Sequence, residues 1–304
     1  MSLYVDRGPA RANRTVPPAF TEETRHEAEA QCPVDAHPGR RARAGAAACD
    51  GGEGGERDRS RRGQSLRTAE SVRAAIRRDE RADEFGQPLR SAEPLRAAEI
   101  GVSPRRRARA GYAAAAQIAA WARAGTSAPA RLPGTAEGFA EWAQYPQPEA
   151  LDPVSGWRFF YHAHAVRERL RAEHGHFHIF TPGPAGGMGF THLIGISVDV
   201  QGLPIRLFTT NRWVTDEAWQ PAAAIGRRVL RPRLAGASPG DVACWLENLV
   251  VLFAPDIVAL LYARDARMGS GIGPGDRRFE DRRLRIPSQT RVSLAAALRR
   301  LAAA

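Results

Sequence analysis

Hydrophobic spacing divides the second part of the chain into three stretches. From Tyr112 to Arg123 the Ala-rich pattern predicts a helix, and Thr135 is placed to cap a short one through Trp142. Pro146 and Pro148 then break the chain. From Trp157 the period changes to two, and strands are expected at Trp157–His164, Gly175–Phe180, Leu193–Val200 and Ile205–Thr210. Gln201-Gly202 reads as a tight hairpin turn between the last two. Helical spacing then returns. Thr215 reads as an N-cap with Asp216 and Glu217 in the first turn, where negative charge suits the helix dipole. Ser238, followed by Pro239, opens a helix to about Phe253; Pro255 opens another to about Arg267; and Ser293 caps the last. The glycines from Gly269 to Gly275 read as a flexible loop. Consecutive strands followed by helices predict an α+β fold: a mainly antiparallel sheet of about four or more strands, flanked by helices.

The front of the chain lacks the side chains that build a core. Of 6 Trp, 5 Tyr and 11 Phe, only Tyr4, Phe20 and Phe85 precede residue 111. Such a segment buries too little apolar area to offset its conformational entropy. Residues 1–110 are therefore expected to be a mostly disordered Arg/Ala/Gly-rich segment, and 111–304 a single globular domain. Within the tail, Leu66, Ala69, Val72 and Ile76 follow the capping residue Ser65 at spacings of three and four, which suggests one helix over 65–85. Pro104-Arg-Arg-Arg107 reads as a solvated charge run in a linker, with an anionic docking site as the functional alternative.

The net charge of +11 changes this picture little. Every basic residue is Arg, and the excess is shared about equally between residues 1–110 and 111–304. That is the mark of compositional bias rather than a nucleic-acid footprint, and nucleic acid is not expected as a partner. Cys32, Cys49 and Cys244 are too few and too scattered for a disulfide framework or a zinc knuckle. Arg7, Pro9 and Arg11 interrupt any signal-peptide pattern, and Leu249–Pro255 is far shorter than the roughly 20 residues that span a bilayer. A cytoplasmic protein without membrane association is expected.

The chemistry concentrates in one place. Six of the 8 His lie at 162, 164, 174, 176, 178 and 192. Residues two apart on a strand share a face, so His162 and His164 point one way, and so do His174, His176 and His178, with Phe177 and Ile179 opposite. If these two strands pair as a hairpin with Ala165–Glu173 as its loop, both sets line one face. Imidazole is the commonest metal ligand, and two or three with a carboxylate suit Zn²⁺ or non-haem Fe²⁺. His162, His164, His176, His178 and His192 are the candidate ligands, with His174 read as lying either on that face or in the turn before it. Glu173 is a candidate ligand or general base, with Glu168 the other nearby carboxylate. Arg212, closing the fourth strand, is a candidate for orienting a small anionic substrate. A polar, solvent-facing strand surface would carry the same alternation, and Arg212 could equally be a surface residue.

Two resemblances bear on this segment. His174-Gly-His176-Phe-His178 resembles the histidine-triad pattern of nucleotide hydrolases and transferases, which implies a nucleophilic His176 and no metal. Gly175 stands where that family usually has an apolar residue, and far more chain follows the motif than is usual there. Tyr145-Pro146, Phe160–His164, Glu173–His178, Thr191–Leu193 and Leu207-Phe-Thr-Thr-Asn-Arg-Trp-Val214 together resemble a family of uncharacterised bacterial proteins over about residues 140–300. That likeness supports the domain boundary and the importance of the His segment, and it transfers no activity. The chain departs from the pattern in its Arg-rich front and at Arg158-Phe159.

Overall fold

The structure, a computed structural model, describes residues 101–134, 139–185, 189–269, 272–273 and 275–303. Residues 1–100 of the segment expected to be mostly disordered, with the helix over 65–85, and the Thr135 cap lie outside the described residues.

Six strands form one antiparallel sheet in chain order: β1 (Tyr145–Leu151), β2 (Arg158–His162), β3 (Gly175–Pro182), β4 (Phe190–Val198), β5 (Pro204–Phe208) and β6 (Gln289–Arg291). The four expected strands are β2 to β5. β1 runs through Pro146 and Pro148, where the sequence suggested only a break. Proline is tolerated because β1 is an edge strand, where a missing N–H costs no ladder bond, and its register with β2 slips between Tyr145 and Ala150. β6 is too short for its period to be read.

The helices are α1 (Pro104–Arg123), α2 (Arg212–Thr215), α3 (Ala222–Ile225), α4 (Gly240–Leu252), α5 (Ala254–Met268) and α6 (Leu294–Ala302). α1 begins eight residues before Tyr112. Ser103 caps it, and Pro104 takes a first-turn position where it has no hydrogen bond to lose. The run read as a linker is thus the first turn of a helix. Arg106 Nη1 donates to Leu230 O at 2.7 Å, and Arg107 Nε to Leu252 O at 2.9 Å.

Thr215 ends a helix rather than starting one. Asn211 is the cap of α2, its Oδ1 accepting from Arg212 N–H, and Asp216 stops the turn in the left-handed region at φ 50°. Both neighbours of that turn are good capping residues, so composition alone could not choose between them. Glu217, expected in the first turn of a helix, instead follows α2 and is buried. Ser238 gives α4 no side-chain cap, whereas Ser293 caps α6 as expected.

One face of the sheet carries Phe159, Tyr161, Phe177, Ile179, Ile194, Ile196 and Leu207, all fully buried. Trp245 of α4 meets the ring edge of Phe177 at 5.5 Å and that of Trp121 on α1 at 5.7 Å, which links the sheet to α4 and then α1. Gly111 permits that close helix packing: a Cβ there would lie 2.7 Å from Leu298 Cδ2 and 3.0 Å from Leu252 Cδ1. The opposite face of the sheet carries the histidines. Among the described residues, no single helix is long and apolar enough to cross a membrane.

Candidate metal centre

The antiparallel register of β2 and β3 sets His162 opposite His176 and Phe160 opposite His178. His176 and His178 in turn lie beside Ser197 and Gly195 of β4, which lie beside Arg206 and Phe208 of β5. Alternate positions on four strands therefore feed one face. On it, His162 Nε2 and His176 Nε2 are 2.6 Å apart. One ring nitrogen from each of His162, His176 and His178 lies within 4.8 Å of the others, the convergence a single metal ion requires.

The second nitrogen of two of these rings is committed. His176 Nδ1 is 2.7 Å from Glu173 Oε1, and His178 Nδ1 is 3.0 Å from His192 Nε2. Each partner is itself held. Glu173 Oε1 also accepts from Ser197 Oγ at 3.1 Å, and its Oε2 accepts from Arg206 Nη2 at 3.0 Å and Leu170 N–H at 3.4 Å. His192 Nδ1 is 3.1 Å from Thr210 Oγ1, and its backbone N–H donates to Glu217 Oε2 at 2.6 Å. Glu173 and His192 thus stand behind the three converging imidazoles, with their own polar atoms occupied.

His192 reaches this face through a bulge. Ile179 pairs with Ile194 but Phe180 pairs with His192, so Leu193 is an extra residue in β4. Were Leu193 an ordinary ladder position, alternation would put His192 on the same face as Ile194 and Ile196; as an unpaired residue it re-aims His192 to the other face.

The remaining predicted residues separate. His164 lies at the rim, half-buried, stacked on the Trp142 indole at 4.3 Å and 19°, with Arg285 Nη2 donating to its Nε2 at 3.4 Å. His174, expected either to share a face with His176 and His178 or to sit in the turn before them, lies outside the strand. Its Nδ1 is 2.5 Å from Tyr161 Oη and its ring packs on Phe139. β3 begins only at Gly175, where a Cβ would sit 2.3 Å from that Tyr161 hydroxyl. Glu168 lies in a one-turn 3-10 helix, Val166–Glu168, beside Arg167. Arg212 pairs with Glu280 and Asp216 and lies over the Phe279 ring, and is not brought to the histidines.

Burial dominates the electrostatics. It pushes the His162 imidazole down to about 2, with His176, His164 and Arg285 adding to the effect. Burial likewise lowers His192 to about 3, His164 to about 4, and His176 and His178 below the usual range. All are therefore neutral near pH 7, the form that ligates metals. Burial alone would raise the Glu173 carboxyl, but the His176 hydrogen bond and the Arg206 charge hold it below its ordinary value. Glu217 goes the other way: burial pushes it up to about 8, and its Oε1 has no hydrogen-bond partner among the described residues.

Several members of the site were not singled out from sequence. Phe208 presents its ring at 5.1 Å to His176 and 5.7 Å to His178, forming a wall. That position exists only because Gly195 lies beneath it, where a Cβ would be 2.3 Å from Phe208 Cζ. Arg206 and Ser197 fix Glu173, and Trp142 and Arg285 form the rim. The readable signal for the first four was the spacing of two, Gly195 to Ser197 and Arg206 to Phe208, once the register across β3, β4 and β5 is known.

No curated protein and no solved structure matches this chain. The family model described as a domain of unknown function, DUF6969, matches residues 108–292, and the chain belongs to that family.

Proposed function

We propose that the domain is a metal-dependent enzyme acting on a small anionic molecule, with His162, His176 and His178 holding a divalent ion such as Zn²⁺ or Fe²⁺. The observation that carries this reading is the pairing of convergence with commitment. Three imidazoles from neighbouring strands meet, while the outer nitrogens of His176 and His178 are fixed by Glu173 and His192. Metal-bound histidines characteristically bond their second nitrogen to a carboxylate or another acceptor, which fixes tautomer and ring orientation. With His178 donating from Nδ1, His192 Nε2 accepts and its Nδ1–H points to Thr210, so one tautomer chain is specified. Glu173 and His192 then act as positioning residues rather than ligands. Three protein ligands leave a coordination position open, where the ion would act as a Lewis acid or lower the pKa of bound water.

The histidine-triad reading remains the alternative, because the Glu173–His176 pair would also orient a nucleophilic His176. Against it, His162 Nε2 sits on the His176 nitrogen that would have to attack.

Metal analysis of protein purified without an affinity His-tag separates the two. About one divalent ion per chain is expected, lost in His176→Ala and His178→Ala while the far-UV circular dichroism persists. Protein that takes up no divalent ion, or variants that keep it, would remove the proposal. Turnover of small anionic compounds then distinguishes an enzyme from a metal-binding domain without activity.

A further inference from the structure

The metal reading leaves open what holds the substrate's charge, and the inference here rests on that reading. Among the described residues near the triad, Arg206 is spent: it binds Glu173, Ser197 and Gln289 and is 8% exposed. Arg212 is paired with Glu280. Arg285 differs from both. Its Nη2 donates to His164 Nε2 at 3.4 Å, its guanidinium lies 5.8 Å from the Trp142 ring, and among the described residues no carboxylate pairs with it. A guanidinium has five N–H donors, so most of this fork is uncommitted. The His164 ring that Arg285 touches lies 4.9 Å from both the His162 and the His176 rings, which puts the cation one ring beyond the ion position.

Trp142 completes the rim. It is a non-glycine residue at φ 71°, a costly backbone conformation for a bulky side chain, and it is held there by its N–H donating to Ala163 O at 2.8 Å. The indole is 48% exposed, with one face on His164. The exposed indole and the uncommitted guanidinium therefore flank the His164 ring, which itself lies against two rings of the triad.

We propose that Arg285 is the receptor for the oxyanion of the substrate, and that the substrate carries this group a few atoms from the oxygen that meets the metal. A dicarboxylate or a phosphorylated small molecule has that chemistry, and a neutral molecule does not.

The test uses full-length protein loaded with Co²⁺, whose visible absorption reports the site, titrated separately with succinate and with inorganic phosphate. Saturable binding of at least one is expected, weakened about 10- to 100-fold in Arg285→Gln as a charge-assisted bond is lost. Arg285→Lys, keeping charge without the fork, should fall in between. A preference for succinate or for phosphate identifies the oxyanion class. Unchanged affinity in Arg285→Gln with an intact cobalt spectrum overturns the inference alone. A loss in Arg212→Gln with none in Arg285→Gln returns the role to Arg212. Failure of the wild type to bind Co²⁺ removes the metal reading and this inference together.

Discussion

Replacing Glu173 by Gln separates a residue that positions a metal ligand from one that merely fills the interior. The side chain keeps its shape, and the amide oxygen can still accept from His176 Nδ1 and Ser197 Oγ. The new NH₂ group, however, faces two donors, Arg206 Nη2 and the Leu170 N–H, where the carboxylate accepted both. Arg206 is left charged in a buried position, 8% exposed, with no carboxylate. Breaking a buried ion pair from one side costs about 3–5 kcal/mol. For a domain of this size each kcal/mol moves Tm by about 2–4 °C, so a fall of about 6–20 °C is expected. Metal affinity should drop separately, by about 10- to 100-fold, because His176 loses its charged orienting partner.

The double variant Glu173→Gln/Arg206→Met distinguishes the two effects. Removing the second charge relieves the unpaired cation, so most of the Tm should return. The metal affinity should not return, since His176 still lacks the carboxylate. Scanning calorimetry and a competitive chelator titration give the two readouts. If the double variant recovered both together, Glu173 would act only through the fold, and the positioning role would be wrong.

Other perturbations probe the remaining layers. Phe177→Ala removes a fully buried ring that touches Tyr161 and Trp245, and should cost about 3–5 kcal/mol in chemical denaturation without changing metal stoichiometry. His192→Ala should weaken metal binding by about 10- to 100-fold, whereas His178→Ala should abolish it; equal losses would place His192 among the ligands. The metal-free protein should be most stable near pH 6.5. His162, His178 and His192 are held neutral by burial, so the stability they contribute is present above the unfolded value of about 6.5 and is lost as pH falls. Glu217, raised to about 8, contributes stability below its unfolded value of about 4.5 that is lost as pH rises through 8. Between these unfolded values three histidines outweigh one carboxyl; above about 6.5 only the carboxyl titrates, so stability should decline and Glu217→Gln should remove the decline. Melting curves that keep rising to pH 8 would contradict this.

What could be read from the chain followed from periodicity, and what could not depended on distant partners. The spacing of two from His176 to Ile179 settled which side chains oppose one another, and the structure keeps Phe177 and Ile179 against the helices with His176 and His178 opposite. The same rule does not reach His174, which lies in the turn before the strand, and it missed β1, where edge geometry rather than composition makes two prolines acceptable. Arg206 illustrates the harder limit. In sequence it is one Arg among 44, and its value lies in a carboxylate 33 residues away that strand register alone brings within 3.0 Å. His192 is the sharpest case, because alternation counted from Ile194 and Ile196 assigns it to the wrong side of the sheet. One extra residue, Leu193, reverses that assignment, and burying it costs a ladder position while leaving Leu193 fully enclosed. With Leu193 in the chain, a bulge at that point is what lets two strands with ordinary hydrophobic interiors deliver His178 and His192 to each other. Deleting Leu193 would leave His192 directly before Ile194 in a regular ladder, so His192 should keep its place opposite Phe180 on the histidine face and metal affinity should persist, the loss being confined to the packing of the enclosed Leu193.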